Sequence, residues 1–350
     1  MRDVAIVSFS QVPSIRRDQI RDEVELVQRV VSGAVEGAGI PRERIGFTVS
    51  GSSDFLVGRP FSFLMALDGV GAWPPISESH VEMDGAFALY EAYVRLLHGD
   101  IDAALVYCFG RSSAGPIGEV LATQLDPYCV TPLWPDATSI AALQARALLD
   151  TGRYTERDFA EVAARNRAQG KDNPNAQVVG DFDVDALLAE PPLVSPLRKH
   201  DCPPISDGAA AVVLAAGDFA KEITDRPAWI RGIDHRVDPQ HLGHRDLTKA
   251  PSAKLAAEKA GAFGAKVDVA ELHAPFSPQE LILKEALGLG DDVRINPSGG
   301  ALAANPVMVA GLIRLGEAAK AVMEGSANRA IAHATSGPAL QQNLVALLEA

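Results

Sequence analysis

Glu271-Leu272-His273-Ala274-Pro275-Phe276-Ser277-Pro278-Gln279-Glu280-Leu281 reads as the end of a strand, a proline-bearing turn and the start of a helix near Pro278. A histidine at the carboxyl end of a strand, beside a helix N-terminus, occupies the place where open α/β folds carry their chemistry. Downstream lies Asn296-Pro297-Ser298-Gly299-Gly300-Ala301-Leu302-Ala303-Ala304-Asn305-Pro306. Its glycine pair permits positive φ and exposes backbone N–H groups, a geometry suited to an oxygen anion. Upstream lies Cys202-Pro203-Pro204-Ile205-Ser206-Asp207-Gly208-Ala209-Ala210-Ala211-Val212-Val213-Leu214. There a turn ending in Asp-Gly leads into a buried strand whose small side chains let another backbone approach closely.

Around these stretches, short apolar runs alternate with longer helical ones, the pattern of α/β layers. Strands are expected over 4–8, 47–51, 103–109, 209–215, 228–233, 269–273, 294–296 and 329–334. Helices are expected over 22–38, 86–98, 139–151, 156–169, 252–262, 278–287 and 306–323. In the first, Val24, Val27, Val31 and Val35 recur at three- and four-residue steps, an apolar stripe that Gly39-Ile40-Pro41 then stops. From about Gly115 to Cys202 prolines accumulate and two polar helices appear, so this part reads as an excursion from the main body, a lobe over the site.

The chain has 350 residues, 47% of them apolar and 22% charged, ordinary globular proportions for one large or two coupled domains. A net charge of −13 argues against nucleic acid as a partner. No run approaches eighteen uninterrupted apolar residues, so no membrane span is expected, and residues 4–8 read as a strand rather than a leader. Cys108, Cys129 and Cys202 show no paired spacing, which predicts neither a zinc site nor a disulfide framework and fits a reducing cytoplasm.

Taken together, the three stretches resemble the thiolase superfamily, in particular its sterol-carrier-protein or lipid-transfer branch. Asp207-Gly208-Ala209-Ala210-Ala211 is similar to the family's strand after its loop domain, and Glu271-Leu272-His273 with Phe276 and Glu280 resembles its His-Asp-Ala/Cys-Phe segment. Asn296-Pro297-Ser298-Gly299-Gly300 resembles its Asn-x-x-Gly-Gly loop, which runs on to a Gly-His-Pro triplet. The resemblance covers nearly the whole chain. It implies duplicated βαβαβαββ halves in a five-layered α-β-α-β-α arrangement, with residues 1–115 and 201–220 in the first half, 116–200 as the loop domain and 221–350 as the second half. It also implies a coenzyme A thioester as substrate or ligand with no permanently bound cofactor or metal, and a dimer formed through the first half.

The catalytic pattern of that family is broken. Its chemistry needs a thiolate that becomes acylated, activated by a histidine. The nucleophile should open the helix after His80-Val81, where this chain reads Val81-Glu82-Met83-Asp84-Gly85-Ala86-Phe87, with Gly85 at the expected place. The Gly-His-Pro triplet is matched by Ala304-Asn305-Pro306, so an amide stands in for the activating histidine. What the resemblance leaves as site residues are His273, His333 and Asp84 for catalysis, with Tyr90 as a further donor, and Gly299, Gly300 and Asn305 around the thioester. Three readings follow. The chain is a retro-aldol lyase acting on a β-hydroxyacyl-coenzyme A of lipid or steroid side-chain breakdown, as in thiolase-like chains partnered by a zinc-ribbon/oligosaccharide-binding-fold (DUF35) protein. Alternatively it is a non-catalytic subunit, in a homodimer or beside an active thiolase-like paralogue and a DUF35 protein. The third is lipid transfer.

Overall fold

The computed structural model describes residues 2–350. Ten strands are present: β1 (Val4–Gln11), β2 (Phe47–Gly51), β3 (Glu78–Val81), β4 (Ala103–Arg111), β5 (Asp207–Ala216), β6 (Ala228–Val237), β7 (Val269–Leu272), β8 (Arg294–Ile295), β9 (Arg329–Ser336) and β10 (Gln342–Glu349). Their hydrogen-bonded order is β3-β2-β4-β5-β1-β6-β10-β9-β7-β8. Reading inward from either edge gives one pattern twice, 3-2-4-5-1 and 8-7-9-10-6. The pairing sense repeats too: β2 runs parallel to β3 and β4 as β7 does to β8 and β9, while the last strand of each half pairs antiparallel on both sides. Within the sheet, only two residue pairs between β1 and β6, Ala5 with Trp229 and Ile6 with Ala228, join the halves.

Side chains supply the rest of the union. The helix Gly85–His98 follows β3, and the helix Ala310–Met323 follows β8, the equivalent position in the second half. Eleven of the fourteen residues of Ala310–Met323 are buried. A helix buried nearly all round lies inside, between two layers. One core cluster accordingly combines residues of β1, β4, β5, β9 and β10 with Ala88, Leu89, Leu312, Leu315 and Ala319 of these two helices. Two further clusters lie on the outer faces, one under the helix Glu23–Ala38 and one under Pro251–Lys259 and Ser277–Leu287. The result is five layers, α-β-α-β-α, the thiolase architecture.

Local chemistry agrees with these boundaries. Asp22 caps Glu23–Ala38 in a capping box with Glu25, and Gly39 ends it in the left-handed conformation at φ 63°. The buried face of that helix is broader than the valine spacing implied. It comprises Leu26, Val27, Val30, Val31, Ala34 and Ala38, with Val24 and Val35 at its margins. The helix expected over 306–323 begins at Ala310 instead, because Asn305-Pro306 and Met308 (φ 72°) interrupt the backbone after a short turn, Gly300–Ala303. Strands β3 and β10 were not expected. β3 is a four-residue edge strand, and the Leu- and Ala-rich β10 is made a strand by its pairing with β6 and β9. Between β4 and β5 the chain adds helices and turns but no strand of the sheet.

One carboxylate binds the two central helices together. Asp84 caps Gly85–His98 by accepting the N–H of Ala86 at 2.9 Å. The same group accepts the N–H of Gly311 at 2.9 Å and of Leu312 at 3.0 Å, at the start of the other helix. Residue 311 must be glycine for this, since a Cβ there would sit 2.4 Å from Asp84 Oδ1. Burial pushes the Asp84 carboxyl above the usual range, against the pull of the three amides and of Arg314. Asp84→Ala should therefore destabilise the protein by about 3 kcal/mol, since three buried N–H donors lose their partner. Asp84→Asn, which keeps one acceptor oxygen, should cost less. Urea unfolding measures both, and a loss below about 0.5 kcal/mol for the alanine variant, the range of ordinary surface changes, would refute this role.

Candidate active site

A cavity of about 450 Å³ opens between the two halves and the helical excursion. Its inner end is lined by Asp84, Ser112, His273, Asn305, Met308 and Thr335, and its outer part by Ile117, Leu121, Leu125, Ile140, Leu193 and Phe276, with Asp136 and Cys202 among the polar groups. The interior is thus mainly apolar with a few convergent polar groups, the usual make-up of a site for an apolar ligand with one reacting end.

The three stretches singled out in the sequence meet at Asn305. Ser206, just before β5, accepts the Asn305 backbone N–H at 3.1 Å and pairs by backbone with Pro306. His273, at the end of β7, lies with Nε2 3.1 Å from Asn305 Oδ1. Its other ring nitrogen, Nδ1, faces the backbone N–H of Thr335 at 3.4 Å. An amide N–H can only donate, so Nδ1 must accept and the proton resides on Nε2, which donates to the Asn305 carbonyl oxygen. That bond in turn orients the amide. Asn305 Nδ2 has no protein partner among the described residues and remains a donor at the cavity wall.

Burial, assisted by nearby His333, pushes His273 down to about 3, so it is neutral at ordinary pH. With both nitrogens committed, His273 is a positioning residue and not a free base. His333 is fully buried in β9. Its Nε2 lies 2.9 Å from Asn343 Oδ1, burial pushes it to about 4, and it is not among the cavity-lining residues. Asp84 reaches the cavity, but both its oxygens are engaged by amides of the helix termini.

Gly85 has no room for the side chain a nucleophile would need. A Cβ there would fall 2.6 Å from Cys108 Sγ and 3.1 Å from Leu312 Cβ, well inside contact distance. The Cys108 thiol fills this space, fully buried, and burial followed by the Asp84 charge drives it well above the ordinary thiol range. Cys202 lines the cavity, and burial pushes it up to about 12.

Gly299 and Gly300 lie off the cavity. A Cβ on Gly299 would run into Ala303 and Gly170, and one on Gly300 into Asn166 and Asn296, so the glycines serve the close packing of the loop. Two buried glutamates of the opening stretch hold that loop. Glu271 accepts from the Ser298 hydroxyl and from Arg314, both at 2.7 Å, and Glu280 accepts from Asn296 at 2.9 Å and from Asn166 of the excursion at 2.8 Å. Ser206, Thr335 and Asp136 carry no signal in the sequence that separates them from other turn and cap residues.

No family model matches the chain. It is 27% identical to acetyl-CoA acetyltransferase of Methanothermobacter thermautotrophicus over 93% of this chain and 94% of that protein. It is 28% identical to human sterol carrier protein 2 over 91% of this chain, which spans 65% of that longer protein. Among solved structures, the "Ltp2-ChsH2(DUF35) aldolase" superposes with a TM-score of 0.81 at 19% identity, covering 99% of this chain and 98% of the other. Along nine-tenths of its sequence the chain is thus similar to acetyl-CoA acetyltransferase and to sterol carrier protein 2, and it shares its duplicated five-layered fold with that aldolase.

Proposed function

We propose that the chain binds a coenzyme A thioester in this cavity and cleaves a β-hydroxyacyl-coenzyme A by a retro-aldol reaction, with no acyl-enzyme. The observation that carries this reading is the pairing of a closed nucleophile position at Gly85 with an oriented, unpartnered donor at Asn305. In the reaction the β-hydroxyl proton leaves to a base and its oxygen becomes a carbonyl. The Cα–Cβ bond breaks, and its electron pair moves into the thioester as an enolate. Asn305 Nδ2–H donates to the enolate oxygen, and Cα is then reprotonated. Of the two lining carboxylates, Asp136 keeps an oxygen uncommitted, the other accepting the Ser139 N–H at 2.7 Å, and we assign it the β-hydroxyl proton.

The apolar outer cavity suits a large hydrocarbon acyl group of the lipid or steroid side-chain kind. The aldolase that shares this fold is a complex with a DUF35 protein, which supports a partner of that kind. A second reading, a non-catalytic subunit beside an active paralogue, is favoured by the commitment of both nitrogens of His273.

The lyase reading predicts that Asn305→Ala lowers kcat on a β-hydroxyacyl-coenzyme A by about 10²–10³-fold, the usual loss for one oxyanion donor. Asp136→Asn should lose about 10²-fold or more. His273→Ala should also slow turnover, with partial recovery in His273→Gln, which can still donate to Asn305. Assays of the assembled complex in which all these variants keep full activity would leave the subunit reading instead. Intact-mass measurement after incubation with acyl-coenzyme A should show no covalent adduct, and an adduct on Cys108, Cys129 or Cys202 would contradict the mechanism.

Acid stability supplies an independent check. His273 at about 3 and His333 at about 4 lie below the value near 6.5 of an unfolded histidine. The unfolded chain therefore binds more protons across that window, so their contribution to stability is complete above about pH 6.5 and declines as pH falls. Urea midpoints should be level near pH 7–8 and drop steeply between about pH 6 and 4. A smaller drop in His333→Asn would assign the share of that residue, and an unchanged midpoint down to about pH 4 would show that the histidines are not buried neutral.

A further inference from the structure

Beyond β1 the chain forms a loop, residues 12–22, that is tied down along its length. Ile15 and Asp207 exchange both backbone hydrogen bonds, Ser14 N–H donates to Asn175 O at 3.0 Å, and Asp18 N–H donates to the buried Asp207 carboxylate at 2.9 Å. Arg111 donates to the Asp18 carbonyl at 3.0 Å. This anchored backbone carries Arg16 and Arg17, followed by Arg21 and by Arg29 of the adjoining helix Glu23–Ala38.

Residues Ile15, Arg17, Asp18, Gln19, Arg21 and Arg29, with Ile20, line a cleft of about 430 Å³. It shares no residue with the acyl cavity. Its one carboxylate is already engaged: Asp18 Oδ2 holds Arg21 Nε at 2.6 Å. Burial raises the Asp18 carboxyl, but the amides of Arg21 and Ile20 and the Arg21 guanidinium outweigh it and hold the group below its usual range. Arg17 and Arg29 are exposed, and neither has an ion pair or side-chain hydrogen bond among the described residues. Three guanidinia against one carboxylate leave the cleft at +2, on a chain whose net charge is −13. Arg17 and Arg29 line one concave space with Arg21, so two guanidinium groups free of acidic partners face the same small volume.

We infer that this cleft is a binding site for a small phosphate-bearing molecule, separate from the acyl cavity. Guanidinium forks match phosphate oxygens two at a time, and two free forks suit the double charge of a phosphate monoester or diphosphate better than the single charge of a carboxylate. Concavity and anchoring favour a small ligand over an acidic protein surface, which would need a broader, flatter patch. The Ile15 and Ile20 side chains and the Gln19 amide offer a wall for whatever the phosphate is attached to.

The test is calorimetric titration of the full-length protein, at low ionic strength, with orthophosphate, pyrophosphate and adenosine 3′,5′-bisphosphate in separate arms. Saturable binding that weakens with added salt is expected in at least one arm. Arg17→Gln and Arg29→Gln should each weaken it by about tenfold or more, the worth of a charge-assisted hydrogen bond, with thermal stability unchanged. Tighter binding of the bisphosphate than of either inorganic ion would identify a nucleotide-borne phosphate, and equal binding a free one. Failure of all three probes would overturn the inference. So would binding that both arginine variants leave intact but Asn305→Ala removes, which would put the anion in the acyl cavity. Capture of polyglutamate without any phosphate binding would likewise overturn it in favour of an acidic partner. Because Asn305 belongs to the acyl cavity and the arginines do not, failure here leaves the lyase reading untouched, and the reverse holds.

Discussion

The Asp84 carboxylate accepts N–H groups from the starts of both central helices, and the architecture between the sheets is organised around that contact. Each helix ends in unsatisfied amide donors and a partial positive charge, and the two termini lie close together in a buried layer. Something negative must sit there. Here the chain supplies its own anion, Asp84, and leaves Gly85 beside it, against a buried thiol that blocks any side chain. The electropositive place between the two helix starts is therefore already occupied by a carboxylate.

What remains at the inner end of the cavity is a donor set. His273 looks like a base in isolation, yet a single backbone N–H from Thr335 decides its tautomer and turns it into a clamp on Asn305. The asparagine then presents its amide hydrogens where a histidine of the Gly-His-Pro triplet would offer a ring. An amide cannot exchange a proton, so the arrangement suits stabilising charge on an oxygen and not activating a nucleophile. On the lyase reading proposed above, that charge is the enolate's, and proton transfer falls to a different wall of the cavity.

The loop that carries Asn305 owes its position to buried charge. Glu271 and Glu280, from the strand and helix on either side of His273, hold Ser298, Arg314, Asn296 and Asn166, and so fasten the loop both to the central helix and to the excursion between β4 and β5. Buried ionic groups of this kind contribute little net stability, but they are costly to break singly and tolerate few alternative arrangements. They make the second half, the loop and the excursion a unit whose geometry Asn305 inherits.

By itself the sequence determined the layered α/β class and most strands and helices. These follow from local signals: apolar periodicity, with Asp22 and Gly39 as caps. Strand β10 escaped because its leucines and alanines favour no strand on their own, and β3 because four edge residues carry too little pattern. The tertiary structure alone decided the partners of the polar groups. Asp84, read as catalytic, spends its oxygens on a helix 227 and 228 residues away, and His333 lies behind the strand rather than at the cavity. Gly299 and Gly300 turn out to serve close packing. A side chain's chemistry is set by which donors and acceptors surround it, and those partners come from segments far apart in the chain, so no reading of spacing could supply them.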